Sequence, residues 1–477
     1  MKRSIFRLPT ACSTLIAGLL IGGCATSSTD TSRETGPASQ IAADLPGAPS
    51  ATAYLTFDEV WSTVDTMHFD PDHNGVDWEA MRLEYRPRIE DTRSDADVRK
   101  VLREMLAELG QTHFVIMPGE NAASSSDTAD ESASSEPGTV GLRFGWLGEE
   151  AIVIAVSPDS PAAEAGIRPG WIVERVDGEL IGEGLSRLRR FAIESEAPMA
   201  EYESLARLNA NLSASIGEKM EFEFRDGNDA VVGKEITFVK PKGVPVRFGL
   251  FPEMNTLTES RILSPAELEA WGVEEGPDGW PEIVHLSFNI WMFPILVPIA
   301  ETVDAHRDAD GFVIDLRGNP GGLGGLAMGV AGHFLAEPES LGSLEQRDAS
   351  MEFTVNPQRA TPDGRLVDPF AGPVMILTDR MSASTSEVFA AGLQQLDRAT
   401  VVGRPSAGAA LPAHLTLLSN GDTFMFAVAD FIGPAGHSIE GTGVQPDRLV
   451  EIERGRLLTE GDPDLAEAVR SILDSSP

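Results

Sequence analysis

Two stretches in the second half of the chain share one layout: an apolar run of strand length, a turn of small residues, and then a helix-compatible pattern. They read GFVIDLRGNPGGLGGLAMGV from Gly311 and PVMILTDRMSASTSEVF from Pro373. In such a junction the helix N-terminus presents unpaired backbone N–H groups, which favour developing negative charge. From about residue 243 onward, EIVHLSF and TFMFAVADF read as further strands, while 293–305, 323–335 and 385–396 carry helical patterns. That alternation predicts an α/β domain of catalytic type.

The second junction offers four hydroxyls, on Ser382, Ser384, Thr385 and Ser386. Ser384 sits at the strand-to-helix turn, where the Thr385 N–H can help to hold an oxyanion, a place that suits a nucleophile. Ser382 and Ser386 read as capping or packing hydroxyls. In the first junction Gly321 and Gly322 lack side chains that would block approach to backbone donors. Gly322, Gly324 and Ala327 also fit G-x-G-x-x-A, but no clear acidic residue closes a second strand about 20 positions on. No Gly-Lys-Ser/Thr occurs either. An oxyanion-hole reading is therefore preferred to a nucleotide site.

Upstream, TFDE at 56–59 has the form of a capping box, and Phe57, Val60, Trp61 and Val64 recur at helical spacing. A second helix is expected from an N-cap at Ser94 to a stop at Gly110, with QTHF directly after it. DPDHNG at 70–75 imitates the start of a calcium loop, but its twelfth position is Met81 where a bidentate Glu is needed, so it reads as a turn. Residues 118–138 are a low-complexity stretch. Beyond it, VGLRFGWL, AIVIAV and SPAAEAGIRPGWIVERVDGELI predict strand, strand, short helix and strand. This resembles a PDZ domain, in which Gly141, Leu142, Arg143 and Phe144 would cap a peptide carboxylate while the peptide adds a strand to the sheet edge. Trp171 stands where such domains commonly have aspartate, so the fold is better supported than any peptide preference.

Met1 to Gly23 has Lys2, Arg3 and Arg7 before an apolar run without acids, the layout of a secretory signal peptide, and LIGGC resembles a bacterial lipobox ending at Cys24. Ala25 in place of aspartate favours the outer membrane. Cys12 lies in the segment to be removed, which leaves no intramolecular disulfide. A formal net charge of −37 argues against a nucleic-acid partner.

DLRGNPGG, SASTSE, TFDEVW, LGQTHF and EGTGVQPD together resemble the carboxy-terminal processing, or tail-specific, serine proteases, over most of residues 53–450. The resemblance implies Ser384 as nucleophile. In the best-known branch a lysine 25 positions later is the base, but this chain has Ala409 there and its last lysine is Lys242. The resemblance to the tricorn-like branch instead implies His113 as base, with Thr112 before it and Glu440 completing a tetrad. His414 and His437 are the rival bases. The expected architecture is α+β and multidomain: signal peptide 1–23, tether 24–52, helical N-terminal domain 53–117, linker 118–138, PDZ-like β domain 139–242 and a crotonase-like or ClpP-like α/β catalytic domain 243–477. The implied activity is that of a serine endopeptidase on proteins or peptides, lipid-anchored through Cys24 and facing the periplasm. Neither a metal nor a cofactor is expected, and the oligomeric state is left open. The alternative from another class is an inactive, lipid-anchored peptide binder, with Ala409 as the mark of decay; an esterase or amidase is a third.

Overall fold

The structure is a computed structural model and describes residues 50–119, 136–195, 197–251, 253–361 and 363–475. The expected signal peptide, Cys24, the tether through residue 49 and most of the 118–138 linker lie outside the described residues.

The frame is a six-stranded sheet in the order Thr258–Ile262, Ile283–Phe288, Gly311–Asp315, Val374–Thr378, Thr400–Gly403, Arg448–Leu449. Its first pair is antiparallel and the rest are parallel. Gly311–Asp315 and Val374–Thr378 are buried at every position, as central parallel strands covered on both faces must be. One face packs on the helices Leu296–Ala305, Gly325–Ala331 and Thr385–Gln395 through residues such as Phe312, Ile314, Ile376 and Phe389. The C-terminal helix Pro463–Ser475 covers the other face, with Leu465, Val469 and Ile472 against Val313 and Met375. Both small-residue junctions leave central strands of this sheet, which brings them side by side.

The stretch expected as one strand, TFMFAVADF, is two: Thr423–Ala427 and Asp430–Ile432. Thr423–Ala427 lies between Ala413–Leu417 and the short strand Val115–Met117, antiparallel to both. The first helix runs over Ala51–Met67, capped by Ser50, whose side chain accepts the Ala53 N–H. It therefore begins earlier than the capping-box pattern at Thr56 predicts; Thr56 is buried in mid-helix because the apolar face extends back to Ala53. The next expected helix is Asp95–Ala107, capped by Ser94, with Gly110 at φ +62 after its end. These helices share one apolar core with Leu411, Phe424 and Phe426, so packing does not divide at residue 117. DPDHNG forms a turn ending in the 3-10 turn His73–Gly75.

Residues 139–239 build a largely antiparallel sheet, Leu142–Leu147, Glu150–Val156, Ile172–Val176, Lys219–Arg225, Val231–Thr237, with the helix Pro198–Asn211 against its first strand. Leu457, after the last strand of the six-stranded sheet, packs on Ile152 and Ile172 and ties this module to the frame.

Candidate active site

Strand Val374–Thr378 ends at Asp379, whose carboxylate accepts the Gly318 N–H at 2.9 Å and the Met381 N–H at 3.0 Å, locking the two junctions together. The four hydroxyls then separate cleanly. Ser382 Oγ donates to the Leu316 carbonyl at 2.8 Å and accepts the Asp379 N–H at 3.0 Å. Thr385 Oγ1 donates to the Gly322 carbonyl at 3.0 Å. Ser386 Oγ donates to the Asn319 carbonyl at 3.0 Å and accepts the Trp291 indole N–H at 2.9 Å. Ser384 Oγ is buried and has no hydrogen-bond partner. Ser384 also has φ 55 and ψ −117, a conformation costly for any residue with a Cβ and one that persists only where the surroundings impose it.

Glu387, the last residue of SASTSE, is one of the groups that impose it, in a role its sequence neighbours do not reveal. Fully buried, its carboxylate accepts the N–H of Ser384 (2.9 Å), Gly408 (2.8 Å) and Ala409 (2.9 Å) and the hydroxyl of Ser406 (2.5 Å). Burial pushes its pKa up, and these four donors pull it back. The Ser384 N–H is also directed at the Ala409 carbonyl at 2.9 Å. Ala409 thus holds the Ser384 turn through its backbone, with its side chain buried among apolar groups.

Gly321 and Gly322 lie against this turn. A Cβ on Gly321 would come within 2.7 Å of Ser384 Cβ and 3.1 Å of the Thr385 nitrogen. The Gly321 N–H, however, donates to Asn319 Oδ1 at 3.0 Å, while no acceptor among the described residues takes the N–H of Gly322 or of Thr385. Asn319 is itself fixed by donating to the Phe288 carbonyl at 2.8 Å.

The segment Thr112–His113 reaches the same place from 270 residues away because Val115–Met117 joins the Thr423–Ala427 strand. Val115 and Met117 share an apolar cluster with Ala383 and Ala409. Glu440 bridges the parts: one carboxylate oxygen accepts the Thr112 N–H and the other the Ala410 N–H, each at 2.9 Å. Its pKa is pushed up to about 7 by burial, against the pull of those donors. Thr112 Oγ1 lies 2.8 Å from His113 Nδ1, and His113 is buried at φ +63. No hydrogen bond joins Ser384 Oγ to the imidazole in this structure.

The rivals are placed differently. His437 is exposed. His414 alternates with Ala413 and Leu415, which face the Ser384 cluster, and its ring lies instead against Phe426 of the N-terminal core. No lysine follows Lys242. No group of three or more His, Cys, Asp or Glu fit to hold a metal occurs among the described residues.

The site is roofed. Tyr202 from the helix Pro198–Asn211, with Phe248 and Phe251, packs over Ala383, Ala407 and Ala409. Of the four residues expected to hold a peptide, Gly141 precedes the edge strand Leu142–Leu147, which carries Leu142, Arg143 and Phe144. There the Asn209 side chain accepts the Phe144 N–H at 3.0 Å and donates to its carbonyl at 3.1 Å, occupying the edge groups a peptide strand would use. Arg143 donates to the Arg317 carbonyl at 2.7 Å and borders a cavity of about 490 Å³ shared with Arg380 and Arg404.

Residues 298–450 match the model of peptidase family S41, and residues 54–107 match that of the tricorn protease C1 domain. The chain is 26% identical over 417 residues to a carboxyl-terminal-processing protease of Synechocystis, covering 85% of this chain and 84% of that one. It is 23% identical over 382 residues to carboxy-terminal processing protease CtpA of Bacillus subtilis, covering 79% and 68%. Among solved structures, a photosystem II D1 C-terminal processing protease superposes with a TM-score of 0.53 at 21% identity, over 88% of this chain and 97% of that one. With mature CPAF the TM-score is 0.57 at 12% identity, over 90% and 99%. By these matches residues 298–450 carry the peptidase family S41 match, and over most of its length the chain is similar to carboxyl-terminal-processing proteases, which are serine peptidases.

Proposed function

We propose that this peptidase is an endopeptidase of the bacterial cell envelope that cleaves proteins or peptides with Ser384 as nucleophile and His113 as general base. The observation that carries the reading is the division of labour among the four hydroxyls: three are bound, and the buried fourth, on a strained turn, is left without a partner. Ser384 Oγ attacks the scissile carbonyl carbon as its proton passes to His113. The carbonyl oxygen becomes an oxyanion held by the N–H groups of Gly322 and Thr385, with Gly321 leaving the space beside Ser384 open. Collapse expels the amine, which takes the proton from His113, and water then repeats the sequence to release the acyl group. Thr112 orients the imidazole through Nδ1, and Glu440 balances its charge. The 139–239 module is read as PDZ-like, with Gly141 to Phe144 as its peptide edge once Asn209 withdraws. Cys24 is read as the lipid anchor; no helix among the described residues is long and apolar enough to cross a membrane.

A fluorophosphonate probe is expected to label the wild type and not Ser384→Ala. His113→Ala is expected to lose nearly all hydrolysis of an unfolded protein, whereas changing every lysine to arginine leaves it largely intact. The second reading is an inert peptide binder; absence of labelling in the wild type would overturn the nucleophile assignment in its favour, and full activity of His113→Ala would overturn the base assignment.

A further inference from the structure

Thr112 and His113 sit in a five-residue turn, Gly110 to Phe114, that contains two left-handed residues, Gly110 at φ +62 and His113 at φ +63. Left-handed backbone at a histidine needs support from outside the turn. That support comes from the other end of the helical region. The His68 ring is buried, and its Nε2 lies 2.9 Å from Gln111 Oε1. The same ring is parallel to Phe114, with centroids 5.4 Å apart and planes 8° apart, and to Phe69 at 4.7 Å and 18°. His68 thus grips the residues on both sides of the Thr112–His113 pair, one by a polar bond and one by stacking. Asn74, six residues later, donates from its side chain to the Leu109 carbonyl at 2.8 Å and holds the start of the turn.

The ring is itself fixed. Its Nδ1 faces both the N–H and the carbonyl of Asp70, at 3.0 and 2.9 Å, and its Nε2 meets the Gln111 side-chain oxygen, so both ring nitrogens are held. Burial lowers the pKa of His68, which favours the neutral form. The backbone at His68 is tied to the catalytic frame, since Arg347 donates to the carbonyls of His68 and Asp65, each at 3.1 Å.

We propose that His68 is a positioning residue for the hydrolysis, fixing the His113 imidazole by clamping Gln111 and Phe114 on either side of it. The inference rests on the reading of His113 as base. A base displaced by about 1 Å can cost on the order of 100-fold in rate.

The test is kinetic, on the full chain. His68→Phe keeps a stacking ring and loses the bond to Gln111; Gln111→Leu loses the same bond from the other side. Each is expected to lower kcat on an unfolded protein about 10- to 100-fold with KM nearly unchanged, and the double variant to be no slower than the worse single one. A merely structural role would lower the amount of folded enzyme without this split. Wild-type kcat in the folded single variants, or losses that multiply in the double variant, would overturn the proposal. If His68→Phe fails to fold, Gln111→Leu decides alone. His113→Ala run alongside separates the two readings: if it stays active the base assignment has failed, whereas if it is dead and Gln111→Leu is fully active only the clamp has failed.

Discussion

Glu440 is the residue whose chemistry is most visibly set by its surroundings. Burial raises its pKa from 4.5 to about 7 even though two backbone N–H groups favour the ionised form. The folded chain therefore binds this proton more tightly than the unfolded chain does. Below about pH 4 both forms carry it and the group is neutral to stability; as pH rises from about 4 to 7 the unfolded chain ionises first, and stability falls until the loss is complete above about 7. The size is on the order of 3 kcal/mol at 1.36 kcal/mol per pKa unit. Glu440→Gln is expected to flatten that part of the curve of unfolding free energy against pH, measured by denaturant titration, and, on the proposed relay, to lower kcat through loss of the counter-charge to the imidazolium. An unchanged slope between pH 4 and 7 would mean that the carboxyl is not buried as described. At this scale the sequence was readable where a motif is contiguous, as in SASTSE and the Gly321–Gly322 pair. Within SASTSE the acceptor role of Glu387 was not readable, because it depends on donors at 406, 408 and 409, nor was the role of Asn319, which takes up the Gly321 N–H and leaves that of Gly322 without an acceptor.

Elements show the same division between local and distant causes. The central strands and the helix Thr385–Gln395 could be anticipated because period and burial agree along each segment. The strand Val115–Met117 could not, since three residues carry no pattern and their partner lies about 300 positions on. Yet this pairing delivers His113, and it is braced by a buried ion pair. Arg99, from the helix Asp95–Ala107, meets Asp422 at 3.0 Å, and Asp422 also accepts the Gly119 N–H at 3.1 Å, just past the strand. Removing one member of a buried pair leaves an uncompensated charge, so Asp422→Ala is expected to cost about 3–5 kcal/mol, read from the denaturant midpoint. Arg99→Met with Asp422→Leu together should recover most of it. A loss of under about 1 kcal/mol in Asp422→Ala would place the pair among weak surface contacts instead.

For the molecule as a whole, the candidate nucleophile is present but covered. Ser384 is 1% exposed beneath Tyr202 and the aromatic pair Phe248 and Phe251, which lie 5.6 Å apart with nearly parallel rings. The roof is fastened beside the nucleophile turn: Arg380 Nε donates to Glu201 at 3.1 Å and its Nη1 donates to the Ser406 carbonyl, so one side chain links the helix Pro198–Asn211 to both loops around Ser384. On the proposed function, substrate reaches Ser384 only when that helix moves, and Asn209 on the same helix leaves Phe144 before a peptide strand pairs there, so one movement would free both places. Glu201 is half-exposed, which limits the fastening to about 0–1 kcal/mol, and removing it can enlarge the open fraction by no more than about fivefold. Glu201→Ala is therefore expected to speed fluorophosphonate labelling of Ser384 by about two- to fivefold at low salt, and raising salt from about 10 to 150 mM, which shortens the screening length from about 30 to 8 Å, should bring the wild type toward the variant. Labelling that is equally fast in both at every salt concentration would show that the helix does not limit access, and that Ser384 is reached by another route.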